Sequence, residues 1–248
     1  MNDLSAEAAV RATADAIHEI GSTFMLHEET FARAAEWGWA NPFAFYFAGR
    51  GGVLGDVDGS VVAAAMGWFN PEIVTSMWLE GIAVHPPREA AQRYGEAAAL
   101  WGRDHLAGVA GLDRLTEVGE KLVSGAEGSG LPLFAGWRAE PGVDDTEGRA
   151  AQLIHVLREW RGAIHLVATT AVGLSPLEAI LTNEGEGQAR FFGWQEPFPG
   201  CAELSSLHAD AQAITDRLCA KVFESSLTPA DRADFADAVG GALAAVKS

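Results

Sequence analysis

Leu153-Ile154-His155-Val156-Leu157-Arg158-Glu159-Trp160-Arg161-Gly162-Ala163-Ile164-His165-Leu166-Val167-Ala168 is the stretch that decides the fold. At 100° per residue, Leu153, Val156, Leu157, Trp160, Ala163, Ile164 and Val167 fall on one side, which is the period of an amphipathic helix. Arg158, Arg161 and His165 stand at i, i+3 and i+7 and form a separate stripe along the flank. Glu159 and His155 lie further round, four residues apart and able to touch. Outward from this helix the same signals recur. Ser175-Pro176-Leu177-Glu178 is a capping box with proline at the first helical position. Thr228-Pro229-Ala230-Asp231 and Asn70-Pro71-Glu72 repeat the cap-and-proline form, and Asp144-Asp145-Thr146-Glu147 puts acids where the helix dipole favours them. Alternating Val/Ile/Thr runs are scarce, so the chain reads as all-α.

One punctuation returns along the chain. Gly38-Trp39-Ala40-Asn41-Pro42, Gly67-Trp68-Phe69-Asn70-Pro71 and Gly193-Trp194-Gln195-Glu196-Pro197 share a form that Gly136-Trp137-Arg138-Ala139-Glu140-Pro141 lengthens by one residue. It predicts a helix ending at a left-handed glycine, a tryptophan folded onto the last turn, and a proline opening the next helix. The spacings of 29, 69 and 57 residues exclude a solenoid of fixed period. Helix punctuation and an ancient duplication remain the two explanations. The glycine- and proline-bearing stretch Ser124–Asp145 reads as a linker between an N-terminal helical half, 1–123, and a C-terminal half, 146–248.

Composition narrows the function classes. Seventeen Lys and Arg against 34 Asp and Glu give a formal net charge of −17. That disfavours phosphate-neutralising nucleic-acid surfaces and anionic membranes. A hydrophobic content of 48% argues against disorder, and two cysteines, Cys201 and Cys219, do not make a disulfide scaffold. No run approaches a membrane span and no secretory signal opens the chain, so a soluble, cytoplasmic protein is expected.

The candidate ligand-binding residues are Arg158, Arg161, His165, Glu159, Glu29 and Arg50. Two guanidiniums and an imidazole in a row can hold a carboxylate or phosphate, because arginine presents a fork of donors. The other explanation is that these arginines pair with some of the 34 acids. His27-Glu28-Glu29 places an imidazole beside carboxylates, either a ligand or acid–base pair or a solvated helix edge. Arg50, after Phe45-Tyr46-Phe47-Ala48-Gly49, complements a helix C-terminus, pairs with a buried acid or faces a ligand. No H-E-x-x-H, C-x-x-C or G-x-S-x-G is present, so no metal site or nucleophile is expected from a motif. A single histidine such as His27, His155 or His165 could ligate haem, but there is no C-x-x-C-H attachment, and no cofactor is named.

Tyr46-Phe47-Ala48-Gly49-Arg50, Leu54-Gly55, the Val61–Pro71 segment, Leu157-Arg158-Glu159-x-Arg161-Gly162-x-x-His165, Gly173-Leu174-x-x-Leu177-Glu178-Ala179, Gly193-Trp194 and Thr215-Asp216-Arg217-Leu218 are spread over most of the chain. Together they resemble an actinobacterial family of all-helical proteins classed with helix-turn-helix regulators. Glu29, Arg50, Arg158, Glu159, Arg161 and His165 are the polar positions that match. The resemblance implies a helix-turn-helix segment after the Gly-Trp turn. This chain departs from it there, with Pro197 and Pro199 two residues apart and seven acids against four bases from Cys201 to Ser248. A degenerate helix-turn-helix-like C-terminal region is therefore expected, with nucleic-acid binding disfavoured. The expected function is a small-molecule-binding or regulatory protein, with an anionic or aromatic ligand in a cleft between the two halves. The alternative is an enzyme using His165 or His27 as acid/base beside Glu159 or Glu29.

Overall fold

The computed structural model describes residues 4–201 and 203–248. Among these it contains thirteen α-helices and a single 3-10 turn, Gly52–Leu54, with no strand, so the all-α expectation holds. The caps read from the sequence form the predicted hydrogen bonds. Asn41 caps α3 (Pro42–Gly51), Asn70 caps α5 (Pro71–Ile82) and Asp145 caps α9 (Thr146–Ala171). Ser175 and Thr228 each close a reciprocal capping box, on α10 (Pro176–Asn183) and α13 (Pro229–Val246).

Helix α9 is the axis of the molecule. Against it pack α1 (Ala6–Leu26), α6 (Pro87–His105), α7 (Leu112–Gly125), α8 (Pro132–Trp137) and α12 (Ser205–Ser226). Leu153, Val156, Leu157, Trp160 and Ile164 are buried as the periodicity requires, each worth about 1.5–3 kcal/mol relative to exposure. Val167, expected on the same face, is 49% exposed, while the neighbouring Ala168 and Thr169 take the buried side of the last turns.

One expectation needs correction. The stretch Ser124–Asp145 is no open linker: it carries α8, whose Leu133, Phe134 and Trp137 are buried against α9 and the 3-10 turn. The N-terminal α1 packs on the C-terminal α12 and α13, and α7 packs on α13, so a single core joins both halves. The Gly-Trp punctuation holds at Gly38, Gly67 and Gly193, all with positive φ, and fails at Gly136, which lies inside α8. At Gly193 the φ of 83° permits a Schellman end, with Gly193 N–H on the Arg190 carbonyl and Trp194 N–H on Ala189. Pro42 and Pro71 open the next helices as expected. Pro141 and Pro197 do not, and Gln195–Gly200, with its two prolines, is irregular. No single helix among the described residues is long and apolar enough to cross a membrane.

Candidate functional site

A cavity of about 570 Å³ opens where α1, α3, α9 and α12 converge, roofed by α10 and α11 (Glu186–Phe191). The wall is built from both ends of the chain. Helix α1 contributes Asp15, His18 and Ser22, α9 contributes Arg158, Arg161 and His165, and α12 contributes His208 and Gln212. The opposite side is aromatic. Phe43 and Tyr46 come from α3, Trp68 and Phe69 from the turn after α4 (Gly59–Met66), and Phe191 and Phe192 from the end of α11. Phe43, Phe191 and Leu26 remain 38%, 48% and 42% exposed, and all three line the opening.

Arg158 reaches the cavity by crossing α1 at Gly21, where a Cβ would lie 2.5 Å from its Cδ. Its side chain is 17% exposed and its contacts are long: 3.4 Å from Nη2 to Ser22 Oγ, and 3.5 Å from Nη1 to Glu159. That glutamate is already committed. Arg50 Nε and Nη2 donate to its two carboxylate oxygens at 2.7 and 2.9 Å, and Arg50 Nη1 donates to Tyr46 Oη at 2.8 Å. Burial alone would raise the Glu159 carboxyl, but the Arg50 charge and hydrogen bonds outweigh it and hold the group below the usual carboxylate range. Two guanidiniums thus share one carboxylate, leaving a net positive charge at the inner wall. The acids Asp15 and Glu184 line the cavity from more exposed positions.

Arg161 donates from Nη2 to Asp216 at 2.8 Å, and Gln212 holds the same oxygen at 3.0 Å. His165 is bound through Thr215. The Thr215 hydroxyl donates to the Ala211 carbonyl at 2.8 Å, so toward His165 Nδ1, 2.9 Å away, it can only accept. Nδ1 therefore carries the proton, and the lone pair of the neutral ring sits on Nε2. Desolvation, with Arg161 and His208 nearby, pushes the His165 pKa down to about 4, and the ring is neutral at pH 7. Trp68 stacks on it at 5.5 Å between centroids. His18 is likewise lowered to about 4, by desolvation and then by Arg158 and Arg161.

Five of the six candidate residues meet here, in unequal roles. Arg158, Arg161 and His165 line the cavity, Arg50 touches it with its cation already paired, and Glu159 lies buried beneath it. Glu29 does not belong to the cavity. Its carboxylate takes a 2.8 Å hydrogen bond from His105 Nε2 and lies 3.7 Å from His27 Nδ1. The expected His165–Glu159 acid/base pair is not formed, because His165 turns to Thr215 and Glu159 to Arg50. His155 is buried among Phe24, Tyr94 and Trp137, its Nδ1 3.9 Å from Glu159 Oε1, and neither ring nitrogen has a hydrogen-bond partner among the described residues. Sequence reasoning missed His18, Ser22, His208 and Gln212. The spacing of His18 and Ser22 at i, i+4 beside the apolar Ile17 and Ile20 was the available signal.

No curated protein and no solved structure matches the chain. A model described as a helix-turn-helix family matches residues 10–198, which includes the cavity-lining residues of α1, α3 and α9 and the α10–α11 roof. The match ends within the Pro197/Pro199 loop. The segment expected to carry the helix-turn-helix, and Thr215–Leu218, lie wholly or largely beyond it. With about three quarters of its length matched, the chain belongs to this helix-turn-helix family.

Proposed function

We propose that the protein binds a small organic anion, a carboxylate on an apolar or aromatic body, and acts as a ligand-responsive regulatory protein. The observation that carries this reading is Arg158. It is a half-buried guanidinium on the wall of a 570 Å³ cavity, and the one carboxylate within 4.0 Å of it among the described residues is already doubly bonded to Arg50. A ligand carboxylate would supply the short charged hydrogen bonds that Ser22 and Glu159 do not. His165 Nε2 offers an acceptor for a ligand hydroxyl or N–H, and Phe43, Phe69, Phe191 and Phe192 suit an apolar body. Native mass spectrometry of the purified chain, before and after denaturation, tests this. A retained small acid released from the wild type and lost in Arg158→Ala is expected. A wild type that carries no small molecule and shows no thermal shift with a panel of aromatic and aliphatic acids would overturn it.

A second reading, binding of duplex DNA, is favoured by the family description. Against it stands the net charge of −17, since phosphate neutralisation needs a basic surface. The expected result is no sequence-specific retention of duplex DNA at about 150 mM salt. Specific retention at that salt would make DNA the output that the cavity regulates.

A further inference from the structure

The geometry points to a second site, where the end of α1 meets α2 and α6: His27, Glu29 and His105 form a three-ligand site for a divalent transition-metal ion such as zinc. His27 sits between α1 and α2 (Glu28–Glu36), Glu29 in the first turn of α2, and His105 at the end of α6. Their donor atoms all lie within 4.8 Å of one another. Glu29 Oε2 is the shared vertex, 2.8 Å from His105 Nε2 and 3.7 Å from His27 Nδ1. Bond lengths of 2.0–2.2 Å around tetrahedral zinc put neighbouring ligand atoms about 3.3 Å apart, so these separations straddle the required value.

Two features distinguish the cluster from an ordinary surface ion pair. The first concerns the His27 lone pair. Nδ1 accepts the Glu29 backbone N–H at the long distance of 3.4 Å, so that nitrogen carries a weakly engaged lone pair rather than a proton. A cation between Nδ1 and the Glu29 carboxylate oxygen 3.7 Å away would take that lone pair in place of the amide. The second is the support behind the rings. Trp101 stacks on His105 at 4.8 Å and packs edge-on to His27, and the two imidazoles meet edge-on at 4.7 Å. The side chains are 25%, 44% and 27% exposed, leaving solvent access for a fourth ligand. Two imidazole nitrogens and one carboxylate oxygen form a donor set of borderline softness, suited to zinc, nickel or copper and poorly suited to magnesium or calcium. None of His27, Glu29 and His105 lines the cavity, so the two sites can be tested apart.

The test is calorimetric titration of zinc into the untagged, chelator-treated full chain. The wild type is expected to take up one zinc per chain, undisturbed by excess magnesium. Glu29→Gln and His105→Ala are each expected to weaken binding by at least ~10-fold, with unchanged far-ultraviolet circular dichroism. His85→Ala is the control. That ring pairs with Glu89 at 3.0 Å and with the Trp37 carbonyl at 2.9 Å, without a second histidine, and its loss should leave zinc binding unaltered. Absence of zinc uptake by the wild type, or uptake that survives both Glu29→Gln and His105→Ala but disappears in His165→Ala, would overturn the assignment. Neither outcome bears on the anion-binding reading of the cavity, which rests on Arg158.

Discussion

Arg50 and Arg158 flank the same glutamate and meet opposite fates. Arg50 comes from α3, is buried, and spends Nε, Nη1 and Nη2 on Glu159 and Tyr46. Arg158 sits next to Glu159 in α9, yet reaches it only at 3.5 Å and lines the cavity with its Nε left without a hydrogen-bond partner among the described residues. The first arrangement is closed, every charge answered within the protein. The second is open, a charge held in place with its strongest partner missing. Residue type and burial do not tell the two apart. What separates them is whether a partner has already been assigned.

The largest effect should come from breaking the closed pair. Glu159→Gln leaves Arg50 buried and charged with no carboxylate, and is expected to destabilise by about 3–5 kcal/mol in denaturant unfolding. Replacing both partners with apolar residues, Arg50→Met with Glu159→Leu, should recover most of that loss, since two desolvation penalties disappear together. If the single and double variants are equally unstable, Glu159 serves Arg158 as much as Arg50, and the contrast weakens.

The open arginine should behave in the reverse manner. Arg158→Ala is expected to cost about 1.5–3 kcal/mol in affinity for the retained acid, the range for a charged hydrogen bond, with a small change in melting temperature. A large fall in melting temperature would place Arg158 with the structural group. Acidity sharpens the comparison in another way. Burial holds His155 down at about pH 4 against an unfolded value near 6.5. The stability contributed by its neutral ring is therefore complete above pH 6.5 and is lost as pH falls from there through about 4. His155→Leu should flatten the melting-temperature profile in that window by up to about 1.4 kcal/mol per pH unit. An unchanged profile would assign the acid sensitivity to His165 and His18 at the cavity. Smallest of all, Arg161→Ala should lower stability by about 1 kcal/mol or less, because the pair with Asp216 is partly exposed and Gln212 keeps its bond to that carboxylate.

Local chemistry was the legible part of this molecule. Ser175 and Thr228 announce their capping boxes within four residues, and Gly38 and Gly193 end their helices as the Gly-Trp turn foretells. The flank stripe was legible for the same reason: helical period alone puts Arg158, Arg161 and His165 in a row. Pairings across the chain were not. Arg50 and Glu159 are 109 positions apart, and nothing near either one names the other. Glu29 looked like a partner for the cavity because a carboxylate beside a histidine carries no direction. The packing of α2 on α6 sends it to His105 instead. Asp216 and Thr215, which hold Arg161 and His165, come from a helix that the family match does not reach.

The docking of α1 against α12 and α13 has a consequence for how the protein is made. A ribosome delivers α1 well before these two partners, so Val10 and Ile17, buried in the finished molecule beside Cys219 and Phe223 of α12, emerge without that cover. The cavity inherits this delay, since its wall runs from Asp15 to Gln212 and closes only once α12 has been synthesised. A nascent chain would hold the anion weakly until then, and contacts of such long sequence separation fold slowly. The ligand would therefore act on the completed protein, and its supply during synthesis could set how much of the chain reaches the native state before aggregation or proteolysis removes it.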